Sequence, residues 1–335
     1  MPRSKSILFR LARIAAFLVI LLLVYWLWEP GTDVRDGRHD RGHNGLWLAH
    51  GWMGADEWFV KNGKQSQLSS YRSPEALQNL ATLCAQNHLT DLFPHLCPCD
   101  VTGNLPAVDD AQVERFLDAL PGCRILPWIG GPSDMRARYT EADWRATFCV
   151  SIRSLLAAHP RLAGIHLNIE PLPSGDAAYL TLLDEIRRAF PPGKLLSIAA
   201  YPPPTRWHPF PSVHWDEGYF REVARRSDQL AVMMYDTALT HPKLYRKLMS
   251  DWTVEILHWS EGRPVLLGLA AYDDANTGYH DPATENLLNG LLGIHAGLER
   301  AHMPANYQGA ALYSHWEMDQ GEWTTWRERF LAPRP

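Results

Sequence analysis

Apolar stretches of strand type alternate with helical segments eight times along this chain, and that alternation leaves few folds open. The strand candidates are 45–51, 89–95, 124–129, 162–170, 195–201, 229–235, 264–271 and 309–315. They are near-continuous aliphatic runs, the pattern of a parallel sheet covered by helices. Between them, Ser73-Pro74-Glu75 opens one helix with a cap and a proline at the first helical position. Thr140 to Asp143 reads as a capping-box-like start of another. Further helices are expected at 110–120, 176–190, 216–226, 242–259, 284–301 and 322–331. Eight strand–helix units in 335 residues predict an α/β fold, a single (β/α)8 TIM barrel over 45–335. The alternative is an open doubly wound sheet. It is disfavoured because Ala49-His-Gly-Trp-Met-Gly54, not a glycine-rich phosphate loop, follows the first strand.

Residues 1–30 are expected to form a signal anchor or transmembrane helix. Arg3, Lys5, Arg10 and Arg13 precede an unbroken apolar run from Ile14 to Trp28, closed by Tyr25, Trp26 and Trp28. Basic residues before such a run orient it with its start in the cytoplasm, and aromatics suit the far interface. Trp28-Glu29-Pro30 offers no small-x-small cleavage site, which favours an uncleaved anchor over a removed signal peptide. Either way the barrel is exported, either membrane-anchored or secreted. Residues 31–44, rich in Asp, Arg, His and Gly, read as a flexible linker.

A net charge of −5 with acids and bases scattered, and no basic patch interleaved with aromatics, argues against nucleic acid as a partner. Fourteen Trp exceed ordinary core needs, as where flat apolar faces of sugars are stacked, although large barrels also use Trp as filler. The five cysteines show no CxxC pair; buried thiols, with at most one disulfide, are expected. The His95, Cys97, Cys99 and Asp100 spacing is not that of a structural zinc motif, so no metal and no cofactor is predicted.

Chemistry concentrates in the fourth strand. There His166, Asn168 and Glu170 alternate with Leu167 and Ile169, so the three polar side chains share one face. A polar file ending in a carboxylic acid is costly to bury unless it lines a cavity. Such barrels gather their active sites at the carboxyl ends of the strands. There the chain places His50 and Trp52, His95, Glu170, Tyr201, Tyr235-Asp236, Tyr272-Asp273-Asp274, and His315-Trp316-Glu317.

Four segments carry a family resemblance. Trp128-Ile-Gly-Gly131 is similar to S-x-G-G, Ala163-Gly-Ile-His-Leu-Asn-Ile-Glu170 lies over D-G-x-D-x-D-x-E, and Met233-Met-Tyr-Asp236 matches M-x-Y-D. Trp316 stands on the eighth strand. In this order the chain resembles the chitinase-like glycoside hydrolases of family 18. The resemblance implies hydrolysis of β-linked N-acetylhexosamine glycans with retention, the substrate's own acetamide oxygen acting as nucleophile. It implies Glu170 as general acid, Asn168 against the acetamide and Tyr235 on its carbonyl oxygen. Asp236 would bind a sugar hydroxyl and Trp316 would stack beneath the ring. Tyr201, His50, Trp52 and Glu317 complete the substrate-binding candidates on the rim.

The chain departs from the family pattern at Ala163, His166 and Asn168, each standing where the family has Asp. An Asn orients the acetamide through its carbonyl but brings no full charge. Endo-β-N-acetylglucosaminidases of a related barrel family use an Asn-x-Glu pair for the same chemistry. His166 is expected either to back Asn168 or to be a satisfied core histidine. Two alternatives stay open: a glycosidase with Asp273, Asp274 or Glu317 as a second carboxylate, and a non-catalytic glycan-binding barrel. The partner is a polysaccharide or oligosaccharide, with envelope glycans suggested by the exported location.

Overall fold

The computed structural model describes residues 2–207, 211–274 and 277–331. Its strands are β1 (Asn44–Leu48), β2 (Leu89–Pro94), β3 (Arg124–Ile125), β4 (Trp128–Pro132), β5 (Gly164–Glu170), β6 (Leu195–Ala200), β7 (Gln229–Met233), β8 (Val265–Ala270) and β9 (Tyr307–Tyr313). All are parallel. β3 and β4 are one stave interrupted at Leu126-Pro127, where proline has no N–H to give a ladder. β2 pairs with β3 through Leu92 and Ile125 and meets β4 through a bridge from His95 to Trp128. β4 pairs with β5, and β1 pairs with both β2 and β9. The pairings run round a ring, a curled parallel β/α barrel of the expected type.

The barrel helices follow the strands: α2 (Glu57–Lys61), α3 (Ser69–Arg72) and α4 (Pro74–Gln86), then α5 (Asp110–Ala119), α6 (Ala142–Ala158), α7 (Ala177–Ala189), α8 (Glu217–Arg226), α9 (Pro242–Trp259), α10 (Leu287–Arg300) and α11 (Gln320–Arg329). Ser73 caps α4 through the Ala76 amide, and Asp319 with Glu322 forms a reciprocal capping box on α11. The expected box at Thr140 does not form. The cap of α6 falls at Glu141, whose side chain accepts nothing from the helix.

Two cores result from the pleat. Ile165, Leu167 and Ile169 of β5 face outward into the layer between sheet and helices. Trp47, Phe93, Trp128, Leu266 and Ala311 fill the barrel's inside. At the lower end of that interior Asp91 is fully buried, and it accepts from Arg124 (2.6 and 2.5 Å) and from Gln229 (2.6 Å). A buried carboxylate is tolerated when it is paired in this way.

The helix ahead of the barrel, α1 (Pro2–Leu27), has a 19-residue stretch from Phe9 to Leu27 with mean hydropathy 2.1, none of it buried. At 1.5 Å per residue such a stretch approaches the ~30 Å hydrocarbon layer. By length and composition it can cross a membrane. The segment that follows corrects the expectation of a flexible linker. The Thr32 amide donates to the Leu292 carbonyl (2.9 Å), Arg38 pairs with Glu299 (2.5 Å), and Arg329 pairs with Asp33. Val34 and His39 are buried, and the Tyr307 hydroxyl donates to the His39 carbonyl (3.0 Å). The charged composition serves ion pairs to α10 and α11 rather than solvation. All five thiols are free, Cys123 half-buried and the others buried.

Candidate functional site

The fourth-strand motif is held by its neighbour. Gly130 lies opposite Asn168 and Gly131 opposite Ile169. A Cβ on Gly130 would sit 2.0 Å from the Asn168 carbonyl oxygen, and one on Gly131 2.8 Å from Pro98 Cβ. Both glycines have φ in the left-handed region, +118° and +130°. Only glycine allows this approach at this conformation, and it fixes where Asn168 and Glu170 stand. Beyond the strand end, the Ser133 amide donates to the Glu170 carbonyl (2.8 Å), tying the next loop down.

A cavity of about 500 Å³ opens over these strand ends. Glu170, Tyr201, Tyr235 and Asp236 line it, with Asp134, His214, Trp252 and Tyr279 around them. Burial pushes the Glu170 carboxyl up to about 6; the Asn168 amide and the Tyr201 hydroxyl donate to it and pull the other way, while the nearby Asp236 charge adds to the rise. The Asn168 amide nitrogen is thus engaged, and its Oδ1 is buried without a partner. Such an orphaned acceptor is costly in a resting protein and marks a place where a donor can be received. Tyr235 stacks on Tyr313 (5.2 Å, 15°), and burial holds its hydroxyl in the neutral, donating form.

Asp236 adopts φ +59° and is held from behind. The Tyr272 hydroxyl donates to it, and His280 Nδ1 lies 3.5 Å away. His280 stacks on Tyr272 (4.1 Å), its Nε2 is 3.2 Å from the Tyr272 carbonyl, and Glu285 lies 3.9 Å from Nδ1. Burial pulls His280 down, but the two carboxylates outweigh it and its pKa is raised. Glu285 has no exposure; both its oxygens accept from the Thr237 amide (3.1 and 2.9 Å), yet burial still lifts it to about 7. His280 thus lies between Asp236 and Glu285, with its Nε2 facing the Tyr272 carbonyl and its buried Nδ1 turned toward the two carboxyl groups.

The structure gathers Glu170, Asn168, Tyr235, Asp236 and Tyr201 and separates the other candidates. His166 is a core histidine: Trp47 Nε1–H donates to its Nε2 (3.1 Å), Ser197 Oγ partners its Nδ1 (2.9 Å), and Phe93 stacks on it (4.0 Å). Burial pushes it down to about 3, so it is neutral, and both nitrogens are used without touching Asn168. Trp52 is buried against Tyr71 and Phe116. His50 stacks on Trp58 (4.0 Å) and faces a second cavity of about 410 Å³. Trp316 is exposed, edge-on to Tyr313 (5.6 Å), so Tyr313 rather than Trp316 is the aromatic ring against Tyr235. Glu317 is exposed on the rim, as are Asp273 and Asp274, and the carboxylate acting on Glu170 is Asp236. Cys97 turns its thiol to the Trp128 carbonyl (3.3 Å), and Asp100 ties its own loop through Thr102 and Asn104.

His280 and Glu285 lie on the connection between β8 and α10, Glu285 where the sequence predicts the first turn of a helix from 284, and neither carried a functional signal in the sequence. Tyr272 stood at a predicted strand end, but nothing in the sequence linked it to Asp236.

No protein-family model matches the chain, and no curated protein sequence is similar to it. Solved structures do match. The chitinase from Chromobacterium violaceum ATCC 12472 is 14% identical, with 86% of this chain and 99% of that one covered and a TM-score of 0.57. The spore cortex-lytic enzyme SleL of Bacillus megaterium QM B1551 is 13% identical over 86% and 74%, with a TM-score of 0.55. A chitinase from Bacteroides thetaiotaomicron is 14% identical over 85% and 96%, with a TM-score of 0.51. At these identities the likeness is one of fold.

Proposed function

We propose that the chain is a retaining glycoside hydrolase of chitinase-like type, acting on β-linked N-acetylhexosamine glycans with Glu170 as general acid. One observation carries this reading: a buried carboxyl lifted to about 6 stands beside an Asn whose Oδ1 awaits a donor. Glu170 protonates the glycosidic oxygen as that bond to C1 breaks, and the acetamide oxygen bonds to C1 from the other face. The acetamide N–H donates to Asn168 Oδ1, and the Tyr235 hydroxyl donates to the acetamide oxygen. Water then opens the cyclic intermediate, giving its proton to Glu170. Asn168 places the acetamide but supplies no charge to the developing cation, so turnover is slower than an Asp would allow. No observation favours Asp273, Asp274 or Glu317 as a second carboxylate. The neighbours' barrels, among them two chitinases and a cortex-lytic enzyme, agree with the reading.

The test is incubation of the full chain with defined β-N-acetylhexosamine oligomers, with products read by mass spectrometry and their anomers by NMR. Cleavage with retention is expected, falling by ~10²–10⁴-fold in Glu170→Gln. Binding without cleavage by the unaltered chain would instead make it a glycan-binding barrel. We also assign α1 as a membrane anchor, oriented by its basic start, with the barrel on the far side.

A further inference from the structure

The end of α1 is fastened at a particular place on the barrel. Lys243 Nζ, at the second residue of α9, donates to the carbonyls of Tyr25 (3.1 Å), Trp26 (2.9 Å) and Trp28 (2.6 Å), and it lies over the Tyr25 ring (5.4 Å). Arg246, one turn on, pairs with Glu29 (2.8 Å). α9 follows β7, so its first turn lies at the carboxyl-end rim, where Glu170 and Asp236 stand. From there the chain descends along α10, touching Leu292 and then Glu299, and enters β1 at the opposite end. The helix therefore leaves the barrel at the rim that carries the cleft.

A second, independent observation concerns the surface of that rim. Outside α1, the exposed large apolar side chains among the described residues are Val60, Val101, Met135, Val150, Trp207, Tyr279, Leu288 and Trp316. All but Val150 lie on the carboxyl-end side, Val60 on the short helix α2, Leu288 on the first turn of α10 and the rest on connections that follow strand ends. Met135 is 64% exposed, Val60 57%, Trp207 44% and Trp316 40%. Ion pairs occur at both ends, at the rim as in Glu57 with Lys61 and Arg138 with Glu141 and at the opposite end as in Arg161 with Asp118 and Arg187 with Asp228, but the exposed large apolar side chains among the described residues gather at the rim. Apolar and aromatic side chains ringed on one end suit the boundary between headgroups and acyl chains.

We propose that the barrel is held with its carboxyl-end rim against the bilayer from which α1 emerges, and that its cleft receives glycans anchored in that bilayer by lipid. This rests on the anchor and hydrolase assignments above. With α1 spanning, Tyr25, Trp26 and Trp28 lie at the outer interface, and the three bonds from Lys243 leave no slack between that interface and the first turn of α9. A polymer diffusing in bulk water would have to enter between rim and membrane, whereas a lipid-borne chain is delivered there.

The test uses the full chain in lipid nanodiscs, with an environment-sensitive fluorophore on a single introduced cysteine and quencher-bearing lipids in the bilayer. Met135→Cys and Leu288→Cys report on the rim. Gly122→Cys, where a Cβ meets no atom within 4 Å, reports on the far end. Rim labels should shift to the blue and lose emission to the quencher, while the Gly122 label keeps its emission. Equal quenching at both ends, quenching only at Gly122, or none at either would overturn the placement. So would a mature chain that lacks α1. Lys243→Met should reduce rim quenching without unfolding the barrel; unchanged quenching would overturn the fastening. A β-N-acetylhexosamine oligomer is then offered lipid-linked in the same disc and free in solution. Preferential cleavage of the lipid-linked form is expected, and equal cleavage would overturn the substrate assignment. If neither form is cleaved, the hydrolase reading fails, while the labels still decide the placement.

Discussion

Replacing Glu170 by Gln should cut cleavage by ~10²–10⁴-fold and at the same time make the protein more stable, with a pH dependence that identifies the cause. Burial holds the carboxyl at about 6 against an ordinary value of 4.5. Each pKa unit is worth ~1.4 kcal/mol, so ionising Glu170 in the folded state costs about 2 kcal/mol. The folded state holds the proton more tightly than the unfolded one. The stability this group contributes is therefore complete below pH 4.5 and lost as pH rises through 6. Gln is neutral throughout and still accepts through its oxygen. Above pH 7 the variant should gain about 1–2 kcal/mol, a rise of a few degrees in Tm, and near pH 4.5 the gain should vanish. The assay is thermal melting of both proteins in detergent at pH 4.5 and 8. Glu285 titrates in the same window but is common to both proteins and cancels in the difference. A variant that is no more stable at pH 8 than at pH 4.5, relative to the parent, would refute the claim that burial raises this carboxyl.

Asn168→Asp places a second charge beside Glu170 and removes the amide that donates to it. The alkaline limb of the pH–rate profile, where the general acid loses its proton, should move up by about one unit, with turnover rising about tenfold. His166→Leu leaves the Trp47 indole N–H and the Ser197 hydroxyl without their partner, costing about 1–3 kcal/mol in denaturant melts while activity per folded molecule is kept. Glu285→Gln removes one of the two carboxyl groups that raise His280, the ring that backs Asp236. KM should rise about tenfold, roughly one hydrogen bond's worth, with a smaller change in kcat.

The barrel was legible because parallel strands covered by helices must be apolar on both faces, and that leaves long aliphatic runs. The inward file of β5 was legible for a related reason: alternation of three polar with aliphatic residues is unmistakable in such a run. What the file faced was not, because His166 and Glu170 differ only in height along the barrel, one beneath the cavity and one in it. The rim aromatics were misplaced for the same cause. Trp52 and Trp316 both follow strand ends, yet one turns into the core and the other into solvent, a difference of loop path that no period records. Residues 31–44 read as a tether because their charge partners, Glu299 and Arg329, are remote in sequence.

The stack of Trp47, His166 and Phe93 beneath Asn168 seals the lower side of the cavity with a neutral imidazole and two aromatic rings. Glu170 therefore exchanges protons with solvent only through the mouth. Once a glycan fills that mouth, the acid keeps whatever proton it carried when the sugar arrived, and the ionisation is settled at binding rather than during chemistry. Such an enzyme samples the pH of its surroundings once per encounter: the fraction of encounters that are productive, and with it kcat/KM, should fall as pH rises through the ionisation of Glu170 near 6.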